Sequence, residues 1–411
     1  MTDRAGVPGP SAKNMSTAIV GAILLVGLLM PGCEPAAARE LVTDGVGYPR
    51  ITTYGGFRSW GFPAIVDNKV DSTLVKRLAR FQQVTIDLAA ATARPDIAAT
   101  VRYYNPNAKV IGYLLVGHWW LPDSFVLKPS SEGFNDHWHR TLQATDCFKR
   151  PPAPQGYEVE SRNRACMDSL GKLIARSAHA ANLDGVFLDY CADDIWWVHP
   201  SYGGRTGDSL RRVNYSGLIK RIRDAAEKPF LVYGNGCHTL DIDGKMIEGY
   251  PDHLPASKFE DAIKLKPGDW LKSETQDKTD HRHGRFALGS ALLTGAWVNW
   301  TSGNGGRSAE LHDANYWLPE YSIGPDWKVD ETGQHTGWMG HPRAPAVRLA
   351  SGLWLRHFEN GKRESVVIVN RYNQPKTHTM EYGSWQRVGV AEVGTTFTVG
   401  GLDAIILRRI E

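Results

Sequence analysis

Apolar and polar positions repeat one unit along most of the chain: a short apolar run, a polar loop, then apolar residues at helical spacing. Ile51 to Tyr54 is the first run, followed by Leu74, Leu78 and Phe81 on one helix face. Val84 to Leu88 is the second, with a helix from Ile97 to Tyr104 ended by Asn105 and Pro106, and Val110 to Val116 is the third. Met167, Leu170, Leu173, Ile174 and Ala178 mark a helix leading into the fourth run, Gly185-Val186-Phe187-Leu188-Asp189. That run is apolar on both faces, as a parallel strand beneath helices is. Leu218, Ile222 and Ala225 precede the fifth, Phe230 to Tyr233, which ends in Gly234-Asn235-Gly236. Lys245 to Tyr250 is the sixth, Trp270 to Glu274 the seventh after a helix near Phe259 to Leu265, and Ala296 to Trp300 the eighth after a helix through Phe286, Leu288, Leu292 and Leu293. Parallel strands need crossovers, and eight of them close around a filled core. The pattern therefore predicts an α/β fold, a (β/α)8 TIM barrel over residues 48–340.

From about Pro342 the period changes to two, without intervening helices. Ser365 to Asn370, Thr395 to Val399 and Ala404 to Leu407 read as strands, with turn pairs at Asn360-Gly361 and Gly400-Gly401. Residues 341–411 are expected to form a small C-terminal antiparallel β-sandwich.

Residues 1–40 read as a leader and linker. Arg4 and Lys13 precede an uncharged run from Ala18 to Met30 that is short for a bilayer span and suits a secretory segment. Two cleavage readings stand: Met30-Pro31-Gly32-Cys33 is similar to a bacterial lipobox, and Ala36-Ala37-Ala38 offers a signal peptidase site. The lipoprotein reading is preferred, with membrane attachment through a lipidated Cys33; either way the protein is expected to be exported, to the cell envelope or as a secreted protein. In that setting four of the five cysteines have partners to find. Cys147 and Cys166 flank one long polar loop and are expected to bridge. Cys191 and Cys237 each follow a strand-end polar residue by two positions and form a second expected pair.

The composition narrows the function. Charged residues are 22% of the 411 and the formal net charge is +3, which supplies no basic field for nucleic acid. There are 14 Trp and 15 Tyr, residues whose faces stack on sugar rings and also fill cores. No Gly-x-Gly-x-x-Gly follows the first strand, and no Gly-Lys-Ser/Thr phosphate loop or Gly-x-Ser-x-Gly elbow occurs, which removes the usual nucleotide and serine-hydrolase signals. His281 and His283 are two apart, on different faces of a helix, and read as surface residues rather than metal ligands. No cofactor and no metal are expected.

Chemistry in a parallel α/β barrel gathers where loops leave the carboxyl ends of the strands. The polar residues there are Asp87, His118, Asp189, Asn235, Glu248, Glu274 and Trp300. Two acids across one mouth suit glycoside cleavage, one protonating the leaving oxygen and the other acting as nucleophile or base. Asp189 and Glu248 are the chosen pair. An Asp just past a strand also caps the following helix, and Glu274 occupies an equivalent place and competes for the acid role.

Asp184-Gly185-Val186-Phe187-Leu188-Asp189-Tyr190, the Tyr54-Gly55-Gly56 start, Glu248-Gly249-Tyr250, Arg285-Phe286-Ala287-Leu288, and the late Phe358-Glu359-Asn360-Gly361 with Val369-Asn370 resemble glycoside-hydrolase-like family fifteen. The chain also resembles the endo-α-1,4-polygalactosaminidase barrels, over about residues 48–410. The resemblance implies a TIM barrel acting on sugars, with Asp189 and Glu248 matching its acids. The resulting expectation is a glycoside hydrolase cleaving α-linked bacterial polysaccharide or oligosaccharide, with Asp189 as nucleophile and Glu248 as general acid and base. Tyr54, Asp87, Asn235 and Asp193 would bond sugar hydroxyls. Trp119, Trp120, Trp196 and Trp300 would offer stacking faces, and His118, Tyr190 and Glu274 complete the substrate-binding set. The rival is a carbohydrate-binding lipoprotein on the same scaffold that has lost its chemistry.

Overall fold

The computed structural model describes residues 46–54, 65–66, 69–70, 72–116, 118–119, 148–149, 157–159, 161–189, 191, 204–226, 229–236, 239–251, 255–275, 279–302 and 315–410. Its centre is one parallel sheet of seven strands. These are β1 (Gln83–Asp87), β2 (Lys109–Leu115), β3 (Gly185–Asp189), β4 (Leu231–Asn235), β5 (Gly244–Tyr250), β6 (Trp270–Thr275) and β7 (Trp297–Ser302), each hydrogen-bonded to the next in chain order. Chain-order neighbours in a parallel sheet require a crossover at every step. α1 (Ser72–Leu78) precedes β1; α2 (Leu88–Ala93) with α3 (Asp96–Tyr104), α4 (Arg164–Ala180), α5 (Gly204–Asp224), α6 (Pro255–Ala262) and α7 (His281–Thr294) supply five of the six crossovers, and the short link from β4 to β5 has no helix among its described residues.

Strand periodicity sorts the side chains into two sets. Ile111, Tyr113, Phe187, Tyr233, Met246, Trp270 and Trp297 form one buried cluster with Tyr54 on the inside of the curled sheet. Val110, Leu114, Val186, Leu188, Val232, Leu271 and Val298, the alternate positions, pack with the helices outside. Residues 50–53 run along both edges of the sheet. Thr52 N donates to Val298 O at 2.9 Å and Val298 N to Arg50 O at 3.0 Å, while Thr53 N donates to Gln83 O at 3.0 Å and Gln83 N to Ile51 O at 3.3 Å. The expected first strand thus pairs through isolated bridges to β7 and β1 and makes no ladder of its own.

The C-terminal strands are β8 (Trp354–Asn360), β9 (Arg363–Asn370), β10 (Lys376–Thr379), β11 (Trp385–Arg387), β12 (Thr396–Val399) and β13 (Asp403–Arg409). β8, β9, β13 and β11 lie side by side in one antiparallel sheet, and β10 pairs with β12. Alternation again serves two cores. Val367, Val369, Ala404 and Ile406 join the core that contains α7, whereas Val366, Ile368, Ile405 and Leu407 pack with Trp385, Phe397 and Val399 on the other face. Gly289 of α7 lies directly under this sheet: a Cβ there would stand 2.4 Å from Ala404 Cβ and 2.9 Å from Val369 Cγ2. Two cations bind the contact at its ends. Arg285 makes two hydrogen bonds of 3.1 Å to Asp403, and Arg356 Nη1 donates to Leu292 O at 2.9 Å.

Cys166 is disulfide-bonded. Cys147, its expected partner, lies outside the described residues, as do Cys33 and Cys237. The expected Cys191 to Cys237 bridge is corrected, because Cys191 is a buried thiol. It follows Asp189 into a dry setting where a thiol packs as a small apolar group.

Candidate active site

The site occupies the inward positions at the carboxyl ends of β3 to β6. Asp189 is the last residue of β3 and is 5% exposed. Its Oδ2 accepts from Tyr113 Oη at 2.5 Å and Tyr54 Oη at 3.1 Å, and its Oδ1 from Asn235 Nδ2 at 3.0 Å. Three donors on two oxygens fix the plane and direction of the carboxylate. Tyr54, Tyr113 and Phe187 brace one another by ring contacts, the first edge-on to the other two.

Glu248 comes from β5 through a bulge. Ile247 pairs with Leu271 and Tyr250 with Ser273, so Glu248 and Gly249 together oppose the single residue Lys272. Gly249 takes φ +65°, a conformation that costs glycine nothing. The extra residue reverses the alternation. Met246 belongs to the inner cluster, but Tyr250 packs outward against Phe286 and reaches Ser290 Oγ at 2.7 Å. Lys258 of α6 braces the bulge, its Nζ donating to Gly249 O at 2.6 Å and Glu248 O at 3.3 Å.

Asn235 ends β4, the strand between those carrying the two acids, and joins them. Its Nδ2 stands 2.9 Å from Glu248 Oε2 and 3.0 Å from Asp189 Oδ1, so these oxygens are at most about 6 Å apart. An amide nitrogen directs its two hydrogens about 120° apart, which corresponds to about 5 Å between the oxygens. Lys272 of β6 closes the group. Its side chain is 2% exposed, its Nζ lies 2.8 Å from Glu248 Oε1 and 2.7 Å from Glu274 Oε1, and it sits 3.9 Å from the centre of the Tyr54 ring. A buried ammonium is costly unless paired; here two carboxylates and an aromatic face receive it.

The structure thus brings together Asp189, Asn235, Glu248 and Glu274 from the expected set. Asp87 ends β1, half-buried, in register with Tyr113. His118 and Trp119 form a two-residue strand paired with Tyr157 and Glu158. Trp120, Tyr190, Asp193 and Trp196 lie outside the described residues. Two expectations need correction. Trp300 is fully buried and turned to the helix side, edge-on to His281 and Tyr316, because Trp297 and Asn299 hold the inward parity of β7. Tyr54, expected to bond a sugar hydroxyl, is 1% exposed and donates its own hydroxyl to Asp189, so it supports the carboxylate. Sequence reasoning missed Tyr113 and Lys272. Inward parity was the available signal for both: Tyr113 is two residues from Ile111 on β2, and Lys272 two residues before Glu274 on β6.

No protein-family model and no curated protein matches the chain. Solved structures do match. A noncanonic maltogenic α-amylase of Thermotoga neapolitana superposes with a TM-score of 0.51 at 10% identity, over 89% of this chain and 100% of the other. An α-amylase of Anoxybacillus gives 0.51 at 10% identity, over 88% and 97%. The α-amylase of H. orenii gives 0.50 at 12% identity, over 89% and 99%. At these identities the likeness is one of fold. The chain has the helix-covered, curled parallel sheet of the TIM-barrel glycoside hydrolases, and the likeness stops short of the polygalactosaminidase family.

Proposed function

We propose that the chain is an exported glycoside hydrolase in which Asp189 is the nucleophile and Glu248 the general acid and base. The observation that carries this reading is the spacing of the two acids, whose facing oxygens share Asn235 Nδ2 as donor and so lie at most about 6 Å apart. Retaining glycosidases place their carboxyls about 5 to 5.5 Å apart, and inverting ones about 6.5 to 9.5 Å. The spacing supports retention. Asp189 attacks the anomeric carbon while the Glu248 proton passes to the leaving oxygen; Glu248 then takes a proton from water, which releases the sugar from the Asp189 ester. Residues 50–53, bonded to both sheet edges, would serve as the eighth strand closing the barrel.

The substrate we propose is an α-linked bacterial polysaccharide or oligosaccharide; the resemblance to family fifteen supports the reaction class. Export and a lipid on Cys33 follow from the leader, which lies outside the described residues. Hydrolysis of a panel of bacterial exopolysaccharides by wild type and by Asp189→Asn tests the reading. Turnover with retained anomeric configuration, lost in the variant, is the expected result. Binding without turnover by the wild type would overturn it in favour of a carbohydrate-binding protein.

A further inference from the structure

The site holds a closed circuit that two-carboxylate chemistry does not itself require. Asp189 contacts the Tyr54 hydroxyl, the Tyr54 ring lies over Lys272 Nζ, Lys272 pairs with Glu248, and Asn235 returns from Glu248 to Asp189. Glu274 stands outside this circuit, with its Oε1 2.7 Å from Lys272 Nζ. A general acid alternates between a neutral and a charged form within each turnover. When Glu248 is neutral, an ammonium that is 2% exposed would lose its partner if Glu248 were its sole counter-ion. Glu274, with a side chain 11% exposed and an oxygen 2.7 Å from the same Nζ, removes that difficulty.

We propose that Lys272 and Glu274 are positioning residues that set the proton affinity of Glu248: Lys272 favours its charged form, and Glu274 keeps the buried ammonium paired whenever Glu248 holds its proton. The inference rests on the reading of Glu248 as the acid. It also gives Glu274, equivalent to Glu248 in sequence pattern, a separate role. The charged and titratable groups facing Glu248 among the described residues are Lys272 and Glu274 on β6, Asp189 on β3 through Asn235, and Lys258 on α6, which binds the Glu248 and Gly249 carbonyls.

Neutralising each partner moves Glu248 in opposite directions. Glu274→Gln removes a negative charge that competes with Glu248 for Lys272, which favours the Glu248 carboxylate. Lys272→Met removes the cation that contacts both acids, which favours the acid form of Glu248. A charge this close shifts a carboxyl midpoint by about one to three pH units. The first test follows the side-chain carboxyl carbon of Glu248 in protein labelled with 13C-glutamate, assigned by its loss in Glu248→Gln. The midpoint is expected to fall in Glu274→Gln and rise in Lys272→Met. The second follows the alkaline limb of kcat/KM, where the acid must be protonated, and its limb is expected to shift in the same two directions. Midpoints that stay within about 0.3 unit of wild type, or move the same way, would overturn the proposal. Because the titration needs no substrate, a wild type that hydrolyses nothing refutes the glycosidase reading and leaves this test intact. Glu274→Gln is nearly isosteric and decides the matter alone if Lys272→Met does not fold.

Discussion

Adding one methyl group at two glycines should change stability with opposite signs. Gly217 lies inside α5, and a Cβ there meets nothing within 4 Å. Replacing a helix-interior glycine by alanine removes backbone freedom from the unfolded chain and is worth about 0.5 to 1 kcal/mol. Gly217→Ala is therefore expected to stabilise by that amount. Gly289 in α7 gains the same helical term, but its Cβ would stand 2.4 Å from Ala404 Cβ, inside the distance at which two carbons can rest, and 2.9 Å from Val369 Cγ2. Neither obstacle is the end of a long flexible side chain. Ala404 is 1% exposed on β13, whose neighbours on both sides are paired, so the helix and sheet must separate by about 1 Å. Overpacking of this kind costs about 1 to 3 kcal/mol, which exceeds the propensity gain and leaves Gly289→Ala destabilised by about 1 to 2 kcal/mol. Urea unfolding followed by tryptophan fluorescence reads both midpoints against wild type. A Gly289→Ala midpoint at or above that of Gly217→Ala would refute the packing of α7 against the C-terminal sheet.

Three further outcomes follow from named contacts. Asp189→Asn and Glu248→Gln should each lower turnover on the order of a hundredfold or more while ligand affinity, measured by calorimetry, stays largely intact. Tyr113→Phe removes the 2.5 Å hydroxyl contact on Asp189 and should lower kcat on the order of tenfold with little change in KM, since the contact orients the carboxylate rather than the sugar; a change confined to KM would contradict this. Asp330 accepts bonds from Thr332, Ser322 and His335; burial works against its charge, but these bonds outweigh it and hold its carboxyl well below the ordinary range. A depressed native value means stability that is present above the unfolded value of about 3.9 and lost as pH falls through the native one, so Asp330→Ala should cost about 1 to 3 kcal/mol at pH 7 and progressively less below about pH 4 by thermal melts across pH.

The repeating unit was legible because buried parallel strands must be apolar on both faces and their covering helices apolar on one. β3 and α4 show this directly: all five residues of Gly185–Asp189 are buried, and Met167, Leu170, Ile174 and Ala178 line the inner face of the helix. The C-terminal sheet was legible for a related reason. Its alternate residues serve two cores, so Val366 to Val369 read as one apolar run. The first strand was less faithful. Ile51 to Tyr54 has strand composition, but its partners lie at the two ends of the sheet, at Val298 and Gln83, and nothing local reports a pairing so distant in sequence. Trp300 failed for a different reason: an aromatic near a strand end has two faces to choose from, and parity counted from Trp297 selects the helix side.

The acids themselves show where composition ends and geometry begins. Glu248 and Glu274 both follow an apolar strand start, and residue type alone does not rank them. The difference lies in one glycine. Because Gly249 adopts φ +65° and inserts a residue opposite Lys272, Glu248 stays inward beside Met246 and reaches Asn235, while Tyr250 turns out to Phe286. Without the bulge Tyr250 would share the inward parity of Glu248, and a phenol ring would stand where the mouth must remain open. Glu274, on a strand in unbroken register with β7, instead pairs with the Lys272 ammonium. The separation of roles between two chemically identical side chains is thus written in backbone register, and Gly249-Tyr250 is the dipeptide that carries it.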